Sequence, residues 1–198
     1  MKTLAREIRT KFGLNTPRVL RSHLRNIYKD YGIKIDLWPI RDKQPSKFRK
    51  LRGAYFNDEM GPTVMVNRNL PEDPRVFTMA HELKHHLVDR NLSISYCGQD
   101  NETTLVEISA EVFAAELIYP DADFISDLIR IGVGRGNCKD TDLARLKHET
   151  QTTLSYTGLA KRAVFFQFAP KGAFDKVQWQ KVEEGLYGTP FYKKKNWR

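Results

Sequence analysis

Two histidines and a glutamate have a spacing that suits metal chemistry, in the segment His81-Glu82-Leu83-Lys84-His85. On a helix, residues four apart lie on one face and about 6 Å apart along the axis, so both imidazoles can reach one ion. Zn²⁺ accepts such nitrogen ligands at roughly 2.0–2.1 Å. Glu82 can take a proton from a metal-activated water. The pattern therefore predicts a zinc-dependent hydrolytic centre, with His81 and His85 as ligands and Glu82 as the general base.

Two histidines leave a third protein ligand to be found. One extended form of the motif would need a glycine at position 88 and a histidine at position 91, but the chain has Val88 and Asn91 there. The next helical segment instead carries Glu107 and Glu111, one turn apart among apolar residues. A buried carboxylate without a partner is costly, so both should have metal or cationic company. We predict Glu107 as the third ligand and Glu111 as the residue that holds a ligand histidine by its second ring nitrogen. Ordinary salt bridges are the alternative for both.

Two other features of the site stay open at the level of sequence. His86 extends the histidine cluster, and we expect it to be exposed or satisfied in the core rather than to bind metal. Peptide hydrolysis also needs a hydrogen-bond donor for the developing oxyanion. Four residues could supply that donor, although a structural role is commoner for each: Tyr55, His148, Tyr156 and Arg162.

The motif residues need helices to position them, and the hydrophobic periodicity predicts two. Asp73 is the expected cap, and Pro74 lies in the first turn, of a helix that carries the histidines and extends to Val88. A second, largely apolar helix is predicted over about residues 102–119, before Pro120. The other predicted elements are helical segments at residues 4–12, 19–28, 141–148 and 152–162, and strands at 34–38, 53–56 and 63–67.

These elements predict an α+β fold with a small antiparallel or mixed sheet. The glycine-rich residues 132–137 form the expected boundary, with a metallopeptidase domain over residues 1–131 and a helical extension packed on it over residues 132–198. The two helices of this extension resemble a helix-turn-helix in spacing. Packed helices that touch no DNA are the commoner explanation, since a fold-level likeness does not establish function.

The composition is that of an ordinary globular protein, with 40% hydrophobic and 29% charged residues in a chain of 198. No stretch approaches the roughly 20 apolar residues that span a bilayer. The first residues lack the hydrophobic run of a secretion signal. Cys97 and Cys138 are the only cysteines, so no disulfide framework is implied. We therefore expect a cytoplasmic protein. The net charge of +9 favours acidic partners, nucleic acid among them, but it also simply maintains solubility.

The two motifs together resemble those of the ImmA/IrrE metallopeptidases. The likeness is carried by residues 79–87, MAHELKHHL, and by residues 107–120, EISAEVFAAELIYP, for which the family pattern is approximately ExxA(N/D)xFAAxLLMP. It covers residues 50–122 well and implies a zincin-like, gluzincin-type fold, in which the glutamate helix follows the HExxH helix. It also implies zinc ligands at His81, His85 and Glu107, with Glu82 as the base. Glu111 replaces the usual Asn or Asp, which leaves the geometry around the ligands open.

The resemblance also implies a substrate and a mode of binding. Members of the family that act as regulators cut helix-turn-helix repressors and so switch on stress-response or mobile-element genes. In this fold a peptide can add to an edge strand beside the zinc cleft. Residues 53–56 and 63–67 are the two candidates for that edge.

We therefore predict an intracellular endopeptidase with one zinc ion per chain. Its expected partner is a regulatory protein, a transcriptional repressor by resemblance; direct DNA binding is not favoured, and no membrane partner is expected. One alternative is a module that regulates by docking on DNA or a repressor, with a non-catalytic zinc site. Another is a zinc-protease toxin or defence factor. Three protein ligands plus Glu82 favour catalysis, because structural zinc sites are normally closed by four protein ligands.

Overall fold

The computed structural model describes residues 1–38, 51–90, 94–97 and 104–189, in which eight helices and four strands occur. The chain divides into two compact units. The first comprises Met1–Pro120 with Thr152–Leu154, and the second comprises Asp121–Gln151 with Ser155–Arg198. None of the helices in the described part is long and apolar enough to cross a membrane.

A four-stranded mixed sheet forms one layer of the first unit, in the order β1-β3-β2-β4. Its strands are β1 (Lys34–Trp38), β2 (Gly53–Asp58), β3 (Gly61–Asn67) and β4 (Ile94–Cys97). β1 runs parallel to β3, whereas β2 runs antiparallel to both β3 and β4. The tight β2–β3 turn depends on Gly61, whose φ of +92° suits glycine, and on Asp58, whose carboxylate accepts the Met60 N–H at 2.9 Å.

Four helices complete the first unit: α1 (Lys2–Lys11), α2 (Arg21–Asp30), α3 (Glu72–Val88) and α4 (Leu105–Ile118). The core of the first unit includes buried side chains from the sheet, from α3 and from α4: Ala54, Tyr55, Val64, Val66, Val76, Ala80, Leu83, Phe113 and Leu117. Polar contacts fix how the helices pack. The Tyr28 hydroxyl of α2 donates to the Met79 carbonyl of α3 at 2.5 Å, and Arg9 of α1 donates to the Leu117 carbonyl of α4 at 2.7 Å. These contacts hold α3 and α4 in place at the site described below.

The second unit is helical in its described part, with α5 (Asp121–Arg130), α6 (Asp140–Thr150), α7 (Tyr156–Phe165) and α8 (Trp179–Tyr187). α8 packs on α6 and on the start of α7. Tyr156 stacks on Trp179 with 4.6 Å between ring centroids and donates to Glu183 at 2.5 Å, while His148 stacks on Tyr187 at 4.1 Å. The first turn of α7 is therefore covered by α8.

The α+β class and the mixed sheet are confirmed, and the predicted strands are all present with small changes at their ends. The prediction of an edge strand was wrong: β2 and β3 are both internal, and the edges are β1 and β4. β4, α5 and α8 were not predicted. α5 belongs to the second compact unit, whereas the predicted boundary lies after residue 131. The predicted organisation, a metallopeptidase domain over residues 1–131 with a helical extension packed on it, stays a prediction.

Candidate metal centre

α3 carries both histidines of the motif and Glu82. The helix begins at Glu72 after Pro71, slightly earlier than the expected cap at Asp73, and its acidic first turn suits the positive end of the helix dipole. From Thr78 to His86 every residue is buried. The polar residues of the motif therefore lie in the interior, where each needs a partner.

Glu107 reaches the same place from the first turn of α4. The predicted helix began near residue 102, but α4 begins at Leu105, after Thr104, whose hydroxyl oxygen accepts the Glu107 N–H at 3.3 Å. The exposure pattern of this turn is inverted. Glu107 is 7% exposed, whereas the neighbouring Leu105 is 84% exposed. In this turn α4 therefore buries a carboxylate and exposes a leucine, so the buried carboxylate needs a partner at the site.

Three donor groups converge between the two helices. The Nε2 atom of His81 lies 3.0 Å from one carboxylate oxygen of Glu107, and Nε2 of His85 lies 3.5 Å from the other. One ligand atom from each of the three residues falls within 4.8 Å of the others. Ligand atoms about 2.1 Å from a tetrahedral ion would be roughly 3.4 Å apart, so the spacing fits Zn²⁺. Two imidazoles and a carboxylate also suit the ion chemically.

Glu82 is a buried acidic residue whose carboxylate finds no hydrogen-bond partner among the described residues. Its side chain is 0% exposed, and neither carboxylate oxygen has a hydrogen-bond partner in the described part of the chain. In the metal-free chain, burial, which is the larger cause, and the negative charge of Glu107 raise the pKa of Glu82 well above its usual value. An orphaned carboxylate beside three convergent donors is expected where a metal and a substrate bind.

Strand β2 makes room for that carboxylate at Gly53. A Cβ atom built on Gly53 would lie 2.7 Å from Oε1 of Glu82 and 2.5 Å from Cγ2 of Thr78. Both distances are below van der Waals contact, so any larger residue at this position would displace the helix side chains. The start of β2 thus forms one wall around Glu82.

His85, one of the two histidines that face Glu107, is also contacted at its other ring nitrogen. Nδ1 of His85 lies 2.8 Å from Oδ2 of Asp89, and the Lys84 ammonium lies 2.6 Å from the same oxygen. Burial, which is the larger cause, and the neighbouring His81 lower the pKa of His85. This favours the neutral imidazole, which is the form that binds metal. Sequence reasoning did not identify Asp89, although its position four residues after His85 was the available signal.

Glu111 does not take the place that was predicted for it. It is half-buried, and within the described residues no hydrogen bond or ion pair joins it to His81 or His85. Although Glu107 and Glu111 are one turn apart, only Glu107 lies among the donor atoms. The carboxylate that contacts Nδ1 of His85 is that of Asp89.

His86 is buried with hydrogen-bond partners, which was one of the two outcomes expected for it. Its Nδ1 lies 3.2 Å from the Tyr55 hydroxyl, and Arg90 donates to Nε2 at 2.7 Å. Burial, which is the larger cause, and the charge of Arg90 lower the pKa of His86 to about 4. The ring is therefore neutral at physiological pH. His86 is not among the converging donors.

The four candidate oxyanion donors all have structural partners. Tyr55 is fully buried against His86, and Arg162 pairs with Asp121 within the second unit. His148 and Tyr156 stack on residues of α8, as described above. No donor for the oxyanion is therefore assigned.

The chain belongs to a metallopeptidase family. The family model for the peptidase M78, IrrE N-terminal-like domain matches residues 30–133, which is more than half of the chain and contains all the donor residues. A search of curated proteins found no match. The family and the buried His-His-Glu set agree on a metallopeptidase-type centre, and the resemblance drawn from the two motifs is confirmed.

Proposed function

We propose that this chain is a zinc-dependent endopeptidase. The observation that carries the proposal is the convergence of three buried donors, His81, His85 and Glu107, beside the unpartnered carboxylate of Glu82. A structural metal site would need no such carboxylate, because buried groups without a chemical role are normally paired or absent.

His81, His85 and Glu107 would hold the ion and leave its remaining position for a small ligand. Three protein ligands are the rule in catalytic zinc sites, and four in structural ones. When bound, the ion supplies Lewis acidity and makes water acidic enough to react near neutral pH. The lowered pKa of His85, which favours the neutral imidazole, and the burial of all three donors support binding of the ion.

Glu82 would move the proton that peptide hydrolysis requires. Its carboxylate oxygens accept a proton from the attacking water and then release it to the amine nitrogen of the departing peptide. Burial raises the pKa of Glu82, which favours the acceptance of a proton by its carboxylate. The wall at Gly53 keeps the carboxylate in one position, so that little reorganisation is needed.

A metal analysis of purified protein tests the ligand set. We expect one zinc ion per chain in the wild type, loss of the ion in His81→Ala and His85→Ala, and weakened binding in Glu107→Ala. Glu59→Ala, which removes an exposed carboxylate from the β2–β3 turn, is the control for a change in charge alone. Full zinc occupancy in Glu107→Ala would remove Glu107 from the ligand set.

The proposed substrate is a regulatory protein of the cytoplasm, a helix-turn-helix transcriptional repressor. Membership of the family and the resemblance to its regulatory members support this substrate class. Direct DNA reading by the chain itself is not favoured, because α8 covers Tyr156 at the start of α7. The test is co-expression with the repressor encoded nearest to the gene, followed by mass spectrometry of the products. Defined fragments that require zinc are expected, and an intact repressor would contradict the proposal for that protein.

A further inference from the structure

Asp89 lies where it can act on the metal centre without binding the metal. It follows the last residue of α3, and its backbone N–H donates to the His85 carbonyl at 2.9 Å. Its side chain is 12% exposed and turns back along the helix to His85. A single oxygen, Oδ2, meets both Nδ1 of His85 at 2.8 Å and the Lys84 ammonium at 2.6 Å.

The contact between Asp89 and His85 decides which ring nitrogen carries the proton. An ionised carboxylate can only accept hydrogen bonds, so Nδ1 must be the donor. A neutral imidazole then has its lone pair on Nε2, the atom that lies 3.5 Å from Glu107. The same hydrogen bond restrains rotation of the ring. The tautomer and the orientation of His85 are therefore both those that a metal ligand needs.

Lys84 extends this support to the second helix. Its side chain is 2% exposed, so the ammonium must be paired. Besides Asp89, it donates to the carbonyl of Val106 at 3.0 Å, next to Glu107 in the chain. Lys84 thus ties the support of one proposed ligand, His85, to the backbone beside another, Glu107.

We infer that Asp89 and Lys84 form a positioning pair that holds His85 in its metal-binding tautomer and fixes the first turn of α4 beside it. This inference rests on the proposed role of His85 as a ligand. Lys84 alone would place a buried cation beside the metal site. Asp89 offsets that charge, so the pair adds orientation without adding net charge.

Zinc affinity of the full chain, measured by competition with a chelating dye, tests the pair. For Asp89→Ala we expect an affinity about 10- to 100-fold lower than that of the wild type. Asp89→Asn keeps an acceptor oxygen but loses the charge, and neutral hydrogen bonds are about half as strong, so a loss of roughly 3- to 10-fold is expected. Glu59→Ala is the matched control and should bind as the wild type does.

Glu111→Ala compares the two carboxylates directly, because the sequence pattern assigned the supporting role to Glu111. We expect its zinc affinity to stay near that of the wild type. A loss in Glu111→Ala together with wild-type affinity in both Asp89 variants would overturn the inference. If Asp89→Ala does not fold, Asp89→Asn decides alone, and wild-type affinity there would count against the pair.

The rise in melting temperature on adding zinc separates positioning from general stability. A merely structural Asp89 would lower the melting temperature of the metal-free chain and leave this rise unchanged, which would also overturn the inference. A positioning residue reduces the rise, because stabilisation by a ligand follows its affinity. If the wild type itself binds no zinc, the proposed function fails. If the wild type binds zinc and the Asp89 variants bind it equally well, only the positioning role of Asp89 and Lys84 is refuted.

Discussion

Replacing Gly53 with alanine tests the placement of Glu82 from the strand side. The new Cβ would lie 2.5 Å from Cγ2 of Thr78 and 2.7 Å from Oε1 of Glu82. Carbon atoms pack at about 3.5–4.0 Å, so Thr78 must retreat by roughly 1 Å and the carboxylate by about half as much or more. Overpacking of this kind costs about 1–3 kcal/mol of stability. For a chain of this size the melting temperature should fall by roughly 2–12 °C.

The effect on catalysis should exceed the effect on metal binding. A displacement of about 1 Å in an active site can cost 100-fold in rate, so we expect Gly53→Ala to cleave its substrate roughly 10- to 100-fold more slowly. Zinc content should be unchanged, since the three atoms nearest to the new Cβ belong to Thr78 and Glu82 and not to His81, His85 or Glu107. Cleavage would be followed by gel and mass spectrometry on the repressor identified by co-expression.

Two further variants separate the contributions. Gly53→Ala combined with Thr78→Ser removes the closer clash, so stability should recover while cleavage stays slow. Gly134→Ala is the control, because a Cβ there meets no atom within 4 Å and the backbone is not in the left-handed region. Wild-type cleavage by Gly53→Ala would show that the Glu82 carboxylate is not held against β2, and the reasoning about this wall would be refuted.

Three other predictions concern the rest of the chain. Burial, which is the larger cause, and the charge of Asp142 raise the pKa of the Cys138 thiol to about 12, whereas in urea it should be about 8.5. In a Cys97→Ser variant, alkylation of Cys138 at pH 9 should therefore be several hundred-fold slower in the native chain than in urea. Rapid native labelling would contradict this burial. Tyr28→Phe loses one buried hydrogen bond, worth about 1 kcal/mol, so the variant should melt about 2–4 °C lower, with its zinc content unchanged. An unchanged melting temperature would show that this hydrogen bond contributes nothing to stability. Footprinting should find no defined operator for the isolated protein, and specific binding weakened by Arg145 or Lys161 substitutions would contradict this.

The elements that carry the chemistry were predictable because their signals are local. The spacing of His81 and His85 on one face specifies α3, and short runs rich in aromatic or β-branched residues specify β2 and β3. The identity of the edge strands was not predictable in this way. It depends on β4 pairing with β2 from forty residues further along the chain, and no local pattern records that register.

The three converging donors were predictable, but the contact between Asp89 and His85 was not. Glu107 stood out as a carboxylate in an apolar helix, and the same reasoning selected Glu111. Which of two carboxylates one turn apart enters the site depends on the rotation of α4 about its axis, and tertiary packing decides that rotation. Asp89 was missed because the predicted helix ended at Val88, so its side chain was not considered to share a face with His85.

Cleavage by Glu82→Gln is the most direct measurement of the central claim. The amide keeps the shape of the side chain but cannot accept the proton, and general-base catalysis is worth about 10²- to 10⁴-fold in rate. We expect a folded variant that holds one zinc ion and still binds the repressor, but cuts it at least about 100-fold more slowly. Cleavage at the wild-type rate would contradict the account, and unaltered regulation in cells despite lost cleavage would show that the protein acts by docking.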